Sequence, residues 1–222
     1  MKVLLVGNPR TVKGFNRLTK LPSLNLASLA ANVDEGLAEI RILDLVLRDK
    51  NPVQVLTGML DQYRPDVVGF TAMSFQYETA RRMLQATRAF DPSIRTLLGG
   101  YHATADGEEI LAGEDCHLID FIIEGEGEGA FNSLLKTLRN GGSLQDVPGI
   151  LYRENGGVVK TARAPLLAPE DINLPRGDLR IYKKGFHVMG QPGDVFETSR
   201  GCWWGEKRQC LFCGNYPATL PF

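Results

Sequence analysis

The stretch Asp66-Val67-Val68-Gly69-Phe70-Thr71-Ala72-Met73-Ser74 decides the fold. Residues 66–71 are continuously apolar after the first position, the pattern of a parallel strand covered by helices on both faces. The chain then runs into a loop of small and polar residues. A helix is predicted over residues 77–90, with Ala80, Met83, Leu84 and Thr87 at i, i+3, i+4 and i+7, and Asp91-Pro92 stops it. Working outward, residues 2–6 and 39–46 read as the first two strands. Asn51-Pro52 opens a helix to about residue 63, as a cap followed by proline at the first helical position. On the other side lie a fourth strand at 94–98, ending in Gly99-Gly100, and a short helix at 108–111. A fifth strand at 120–123 and a helix at 128–138 complete the unit. The alternation predicts an α/β fold, a flavodoxin-like doubly wound five-stranded parallel sheet in the order 2-1-3-4-5.

After residue 142 the texture changes. Residues 149–153 and 158–161 flank Glu154-Asn155-Gly156-Gly157 and read as a hairpin. Residues 162–193 are rich in proline and lack periodicity, the signature of a linker. Residues 195–198 read as one further strand leading into a cysteine-rich segment. The expected division is 1–142, then a hairpin and linker over 143–193, then 194–222.

The chain has 222 residues, 43% of them apolar and 23% charged, with a net charge of -1. That composition is globular, and its charge balance argues against a nucleic-acid partner. The apolar runs are too short to span a membrane or to form a secretory signal, which places the chain in the cytoplasm as an expectation. Clustering of three of the four cysteines near the carboxyl terminus favours a metal or cluster site over disulfides.

In doubly wound sheets ligands bind beyond the carboxyl ends of the strands. The relevant loops are residues 7–15, 71–76, 99–104 and 124–129. Gly99 and Gly100 would let a flat ligand approach the backbone, or would simply serve a tight turn beside His102. Glu124-Gly125-Glu126-Gly127-Glu128-Gly129-Ala130 has the form of a dinucleotide fingerprint. It follows the fifth strand rather than the first, however, and three carboxylates would repel a pyrophosphate. Cys202, Cys210 and Cys213 are spaced C-x7-C-x2-C. Three such thiolates fit an iron–sulfur cluster with one open iron, a zinc site completed by a residue such as His187, or no shared site at all.

Three motifs together resemble the cobalamin-binding domain of cobalamin-dependent radical S-adenosylmethionine enzymes. They are Gly69-Phe70-Thr71-Ala72-Met73-Ser74-Phe75-Gln76-Tyr77, Leu98-Gly99-Gly100-Tyr101-His102-Ala103-Thr104, and Phe121-Ile122-Ile123-Glu124-Gly125-Glu126-Gly127-Glu128. The Cys-Trp-Trp-Gly-Glu-Lys opening of the cysteine segment is similar to the branch that methylates carbon atoms of peptide natural products. The resemblance implies cobalamin contacts from Asn8, Pro9, Thr71, Met73, Ser74, Gly99, Gly100, His102, Glu124, Gly125, Glu126 and Gly127. It implies a [4Fe-4S] cluster on Cys202, Cys210 and Cys213, and S-adenosylmethionine as a further cofactor of the intact enzyme. The substrate of that enzyme would be a peptide or small molecule. No D-x-H-x-x-G follows the first strand, where Asn8-Pro9-Arg10-Thr11-Val12-Lys13-Gly14 stands instead. The resemblance therefore implies base-off cobalamin without a histidine from that loop, and His102 in contact with the corrin or its tail. The family's barrel needs roughly two hundred further residues, whereas the chain stops nine residues past Cys213. A truncated radical S-adenosylmethionine barrel is the expectation. A stand-alone corrinoid carrier and an anaerobic ring-cyclising enzyme are the alternatives.

Overall fold

The computed structural model describes residues 1–9, 19–48 and 51–200. The parallel strands are β1 (Lys2–Gly7), β3 (Glu39–Asp44), β4 (Val67–Thr71), β5 (Arg95–Gly99) and β6 (Phe121–Ile123). They lie in the order β3-β1-β4-β5-β6, which is the expected 2-1-3-4-5. The sheet does not end there. The hairpin strands β7 (Ile150–Glu154) and β8 (Gly157–Lys160) add to β6 antiparallel, which gives a mixed seven-stranded sheet. The expectation of a purely parallel five-stranded sheet with a separate hairpin is thus corrected. Burial explains the joining: Ile150, Leu151 and Tyr152 are all buried, so β7 has apolar residues on both faces and needs cover on both. The turn is the expected tight one, with Asn155 (φ 51°) and Gly156 (φ 83°) both left-handed, as a two-residue hairpin loop requires.

Helices cover both faces. On one side α2 (Pro52–Tyr63), α3 (Tyr77–Phe90) and α4 (Tyr101–Ala112) pack on Leu4, Val6, Val68 and Leu98. On the other, α1 (Leu24–Ala31) and α5 (Gly127–Asn140) pack on Val3, Leu5, Leu97 and Phe121. Residues Val3 to Val6 are each at most 1% exposed, so β1 is the centre of the core. The Asn51 cap acts as expected: its Oδ1 accepts from Val53 N at 3.0 Å, with Pro52 opening the helix.

Two helices differ from expectation. The sequence pattern predicts no element at α1, whose buried face is mostly small residues, Ala27, Ser28 and Ala30 beside Leu26. The helix expected at 108–111 begins seven residues earlier, directly after Gly100. Its buried positions include Ala103 and Gly107, and a kink at Asp106 (φ -122°, ψ 17°) breaks the period.

The stretch read as a linker folds back on the sheet. Arg176 N donates to Ala27 O at 3.0 Å and Ile181 N to Ile42 O at 2.9 Å. Short strands β2 (Thr19–Lys20), β9 (His187–Val188) and β10 (Gln191–Pro192) form a second small sheet. Residues 195–198 join neither sheet, contrary to the strand expected there; Phe196 is 80% exposed and gains no burial that would hold an extended pairing. Among the described residues no helix is long and apolar enough to cross a membrane.

Candidate functional site

The carboxyl ends of β1, β4, β5 and β6 are neighbours in the sheet, so their loops converge on one edge. Hydrogen bonds join them in series. Asn8, following β1, donates through Nδ2 to the carbonyl of Thr71 at the end of β4. Asn25 Nδ2, from α1, donates to Thr71 Oγ1 at 3.0 Å. Ala72 N donates to Gly99 O and His102 N to Ala72 O, both at 3.1 Å, which ties the β4 loop to the β5 loop. Thr104 Oγ1 donates to Gly100 O at 3.1 Å and accepts from Gly125 N at 3.0 Å, which brings in the β6 loop. The edge is therefore a braced rim rather than four independent loops.

His102 stands in the first turn of α4. Its Nδ1 lies 2.8 Å from Asp106 Oδ2 and 3.3 Å from Ser74 Oγ. An Nδ1–H donating to the carboxylate orients the ring. Tyr77 packs against the ring at 4.4 Å between centroids, and its hydroxyl donates to Asp115 Oδ2 at 2.9 Å. Burial and the hydrogen bond to Asp115 push the Tyr77 phenol well up, so it stays a donor at neutral pH.

Two glycines of the rim play different parts. Gly100 has φ +92°, and a Cβ there would lie 2.7 Å from Thr71 Oγ1 and 2.9 Å from Ala72 O. Its close approach is to the neighbouring loop. Gly125 has φ +70° and nothing within 4 Å of where a Cβ would stand, so its exposed backbone is open to approach from outside.

The acidic run is neutralised from elsewhere in the chain. Lys160 Nζ, on β8, lies 3.0 Å from both Glu108 Oε1 and Glu124 Oε1. Glu128, only 6% exposed, accepts from Ser28 Oγ and Arg200 Nη2 at 2.7 Å each. Burial opposes the Glu128 charge, but the hydrogen bonds from Arg200 and Ser28 outweigh it and hold the carboxyl below its ordinary value. Glu126, 3.6 Å from Arg200, is pushed up by burial.

The rim also offers apolar surface, with Met73 40%, Tyr101 60% and Phe75 67% exposed. Asn8 Oδ1 is buried without a hydrogen-bond partner among the described residues. An apolar platform, an open glycine backbone and an unused amide acceptor suit a broad planar cofactor fringed with amides, and cobalamin is such a group. The expected rim residues Asn8, Pro9, Thr71, Met73, Ser74, Gly99, Gly100, His102, Glu124, Gly125, Glu126 and Gly127 all lie at or beside these strand ends. Sequence reasoning missed Asp106, one helical turn after His102, and Asn25, Lys160 and Arg200, which reach the rim from distant positions. Cys202, Cys210 and Cys213 fall outside the described residues, and no metal-binding group of His, Cys, Asp or Glu occurs among the described ones.

A doubly wound sheet with such a rim defines an α/β domain of the kind in which ligands bind across the carboxyl edge. The chain belongs to the B12 binding domain family, whose model matches residues 11–135. It is 32% identical over 218 residues to an uncharacterized methyltransferase of Pyrococcus horikoshii, covering 97% of this chain and 45% of that protein. It is 27% identical over 220 residues to an anaerobic magnesium-protoporphyrin IX monomethyl ester cyclase of Synechocystis, covering 97% and 42%. The fold matches the cobalamin-dependent S-adenosylmethionine radical enzyme OxsB with aqua-cobalamin bound. There the TM-score is 0.71 at 21% identity, over 96% of this chain and 28% of that one. The chain spans less than half the length of these relatives.

Proposed function

We propose that this chain is the cobalamin-binding portion of a cobalamin-dependent radical S-adenosylmethionine methyltransferase. The observation that carries the reading is the braced rim, built from four loops that lie within or beside the matched family region. Bound cobalamin would supply a transferable methyl group on cobalt. The chain's own residues would present the apolar platform of Met73, Phe75 and Tyr101 to the macrocycle, with Gly99 and Gly125 giving room for close approach. Asn8 and Ser74 would meet its amides, beside Pro9, Thr71 and residues 124–127. Gly100 and Thr104 hold the rim in shape, and His102, oriented by Asp106, contacts the corrin or its tail. The loop after β1 carries no histidine, which supports base-off binding without a ligand from there.

Cys202, Cys210 and Cys213 would hold a [4Fe-4S] cluster that binds S-adenosylmethionine in the intact enzyme. Their C-x7-C-x2-C spacing and Cys-Trp-Trp-Gly-Glu-Lys opening support the peptide-methylating branch. The cyclase relative keeps a ring-cyclising enzyme as the second reading.

Titration of the purified chain with hydroxocobalamin tests the proposal, followed by the visible spectrum and by electron spin resonance of the Co(II) form. Saturable micromolar binding with a base-off spectrum is expected. Nitrogen splitting that disappears in His102→Ala would make His102 a cobalt ligand and overturn its assignment to the corrin or tail. Absence of binding at micromolar concentrations would remove the functional reading altogether.

A further inference from the structure

The acidic run at residues 124–128 contains one carboxylate that a cofactor rim does not require. A helix N-terminus is served by an exposed Glu as well as by a buried one. Glu128 is nevertheless almost fully buried in the first turn of α5. Its partner Arg200 lies 72 residues further along the chain, and Ser28 of α1 closes the group: Arg200 Nη2 donates to Ser28 Oγ at 3.0 Å and to Glu128 Oε1 at 2.7 Å. Arg200 Nε donates to Glu197 Oε2 at 2.6 Å, and Nη1 lies 3.6 Å from Glu126 Oε2. The planar guanidinium is thus held in several directions at once, which a lysine cannot reproduce.

Buried ion pairs add little net stability compared with apolar packing, and their better-attested use is to fix register. Here the register concerns the point where the chain leaves the cofactor rim. Arg200 is directly followed by Gly201-Cys202-Trp203-Trp204. We infer that Arg200 is a positioning residue: its pairing with Glu128 and Ser28 fixes the chain at residue 200, beside the rim, immediately before the cysteine segment. The inference rests on the functional reading above for its purpose. Its geometry stands without it.

The chain's only two tryptophans, Trp203 and Trp204, follow Arg200 by three and four residues, so tryptophan emission excited selectively over tyrosine reports on this segment alone. Acrylamide quenching should be measured on the full chain without cofactor, for the wild type and for Glu128→Gln, Arg200→Gln and Arg200→Lys. In Glu128→Gln and Arg200→Gln, quenching and the emission maximum should shift away from the wild-type values, and Arg200→Lys should shift them less. With hydroxocobalamin at equal occupancy, energy transfer from tryptophan to the corrin should also differ between the wild type and the variants. If Glu128→Gln does not fold, Arg200→Gln carries the comparison, since it leaves α5 untouched. Identical quenching in the wild type and both glutamine variants, with normal cobalamin binding, would overturn the inference and leave the cofactor reading standing. A clear quenching difference in a chain that binds no cobalamin would uphold the strut and remove the cofactor reading.

Discussion

Gly100→Ala should destabilise the protein far more than Gly125→Ala, although both glycines have positive φ. At Gly100 the backbone (φ +92°, ψ -176°) lies in a region that only glycine occupies without strain, which costs another residue about 1–3 kcal/mol. The added Cβ would also press on Thr71 Oγ1 at 2.7 Å, Ala72 O at 2.9 Å and Ala72 N at 3.0 Å. Two of those atoms are backbone, so no side-chain rotation relieves the contact. Both also belong to the bonds Ala72 N to Gly99 O and His102 N to Ala72 O. Weakening either adds about 1 kcal/mol, for a total of about 2–4 kcal/mol. At Gly125 the Cβ meets nothing, and a left-handed φ of +70° costs about 1 kcal/mol. Urea unfolding followed by circular dichroism reads both values, and a hydroxocobalamin titration reads binding beside them. Gly125→Ala should weaken binding with little loss of stability, whereas Gly100→Ala should lose both. Equal stability of the two variants would refute the view that Gly100 serves the rim and Gly125 the ligand.

Leu151→Ala should cost about 2–5 kcal/mol, because Leu151 is fully buried where β7 extends the sheet. A loss under about 1 kcal/mol in urea unfolding would mean that the hairpin is only appended. Tyr63 donates to Glu39 O at 2.7 Å, and its phenol is pushed up to about 12, chiefly by burial and then by the nearby Glu39 charge. The folded chain therefore holds that proton more tightly than the unfolded one. Its contribution is whole below about pH 10 and falls as the pH rises toward 12. Tyr63→Phe should flatten this part of the alkaline stability profile, and an unchanged profile would show that another group is responsible.

The parallel core was legible because β1, β4 and β6 carry near-continuous apolar runs and its clearest helices have unambiguous ends. Asp91-Pro92 bounds α3, and Asn51-Pro52 opens α2. Helix α1 was not, since Leu24-Asn25-Leu26-Ala27-Ser28-Leu29-Ala30-Ala31 has no acidic residue in its first turn and no side-chain cap from Ser23. Small residues let it pack closely on the sheet while hiding its period. The Asn155-Gly156 turn announced a hairpin, but its membership of the main sheet lay in a subtler sign: three consecutive buried residues, Ile150, Leu151 and Tyr152, where a half-exposed hairpin would alternate. At the rim, strand-terminal glycines marked the loops. The charged and polar residues that brace them come from α1, β8 and residue 200, separations that no local motif encodes.

For the acidic run, charge repulsion alone is an incomplete argument against a dinucleotide. Mutual repulsion between a pyrophosphate and three carboxylates assumes that those carboxylates are unpaired. Lys160 in fact bridges Glu124, and Arg200 serves Glu128 and approaches Glu126, so much of that repulsion is compensated. The stronger objection is occupancy. A dinucleotide needs the first turn of the helix clear so that backbone N–H groups can reach a phosphate. In this chain the Glu128 carboxylate is buried at the first turn of α5, joined to Ser28 and Arg200. The first turn of α5 is thus packed at Glu128 against Ser28 and Arg200, which argues against a phosphate there. The same carboxylate provides an anchor for residue 200.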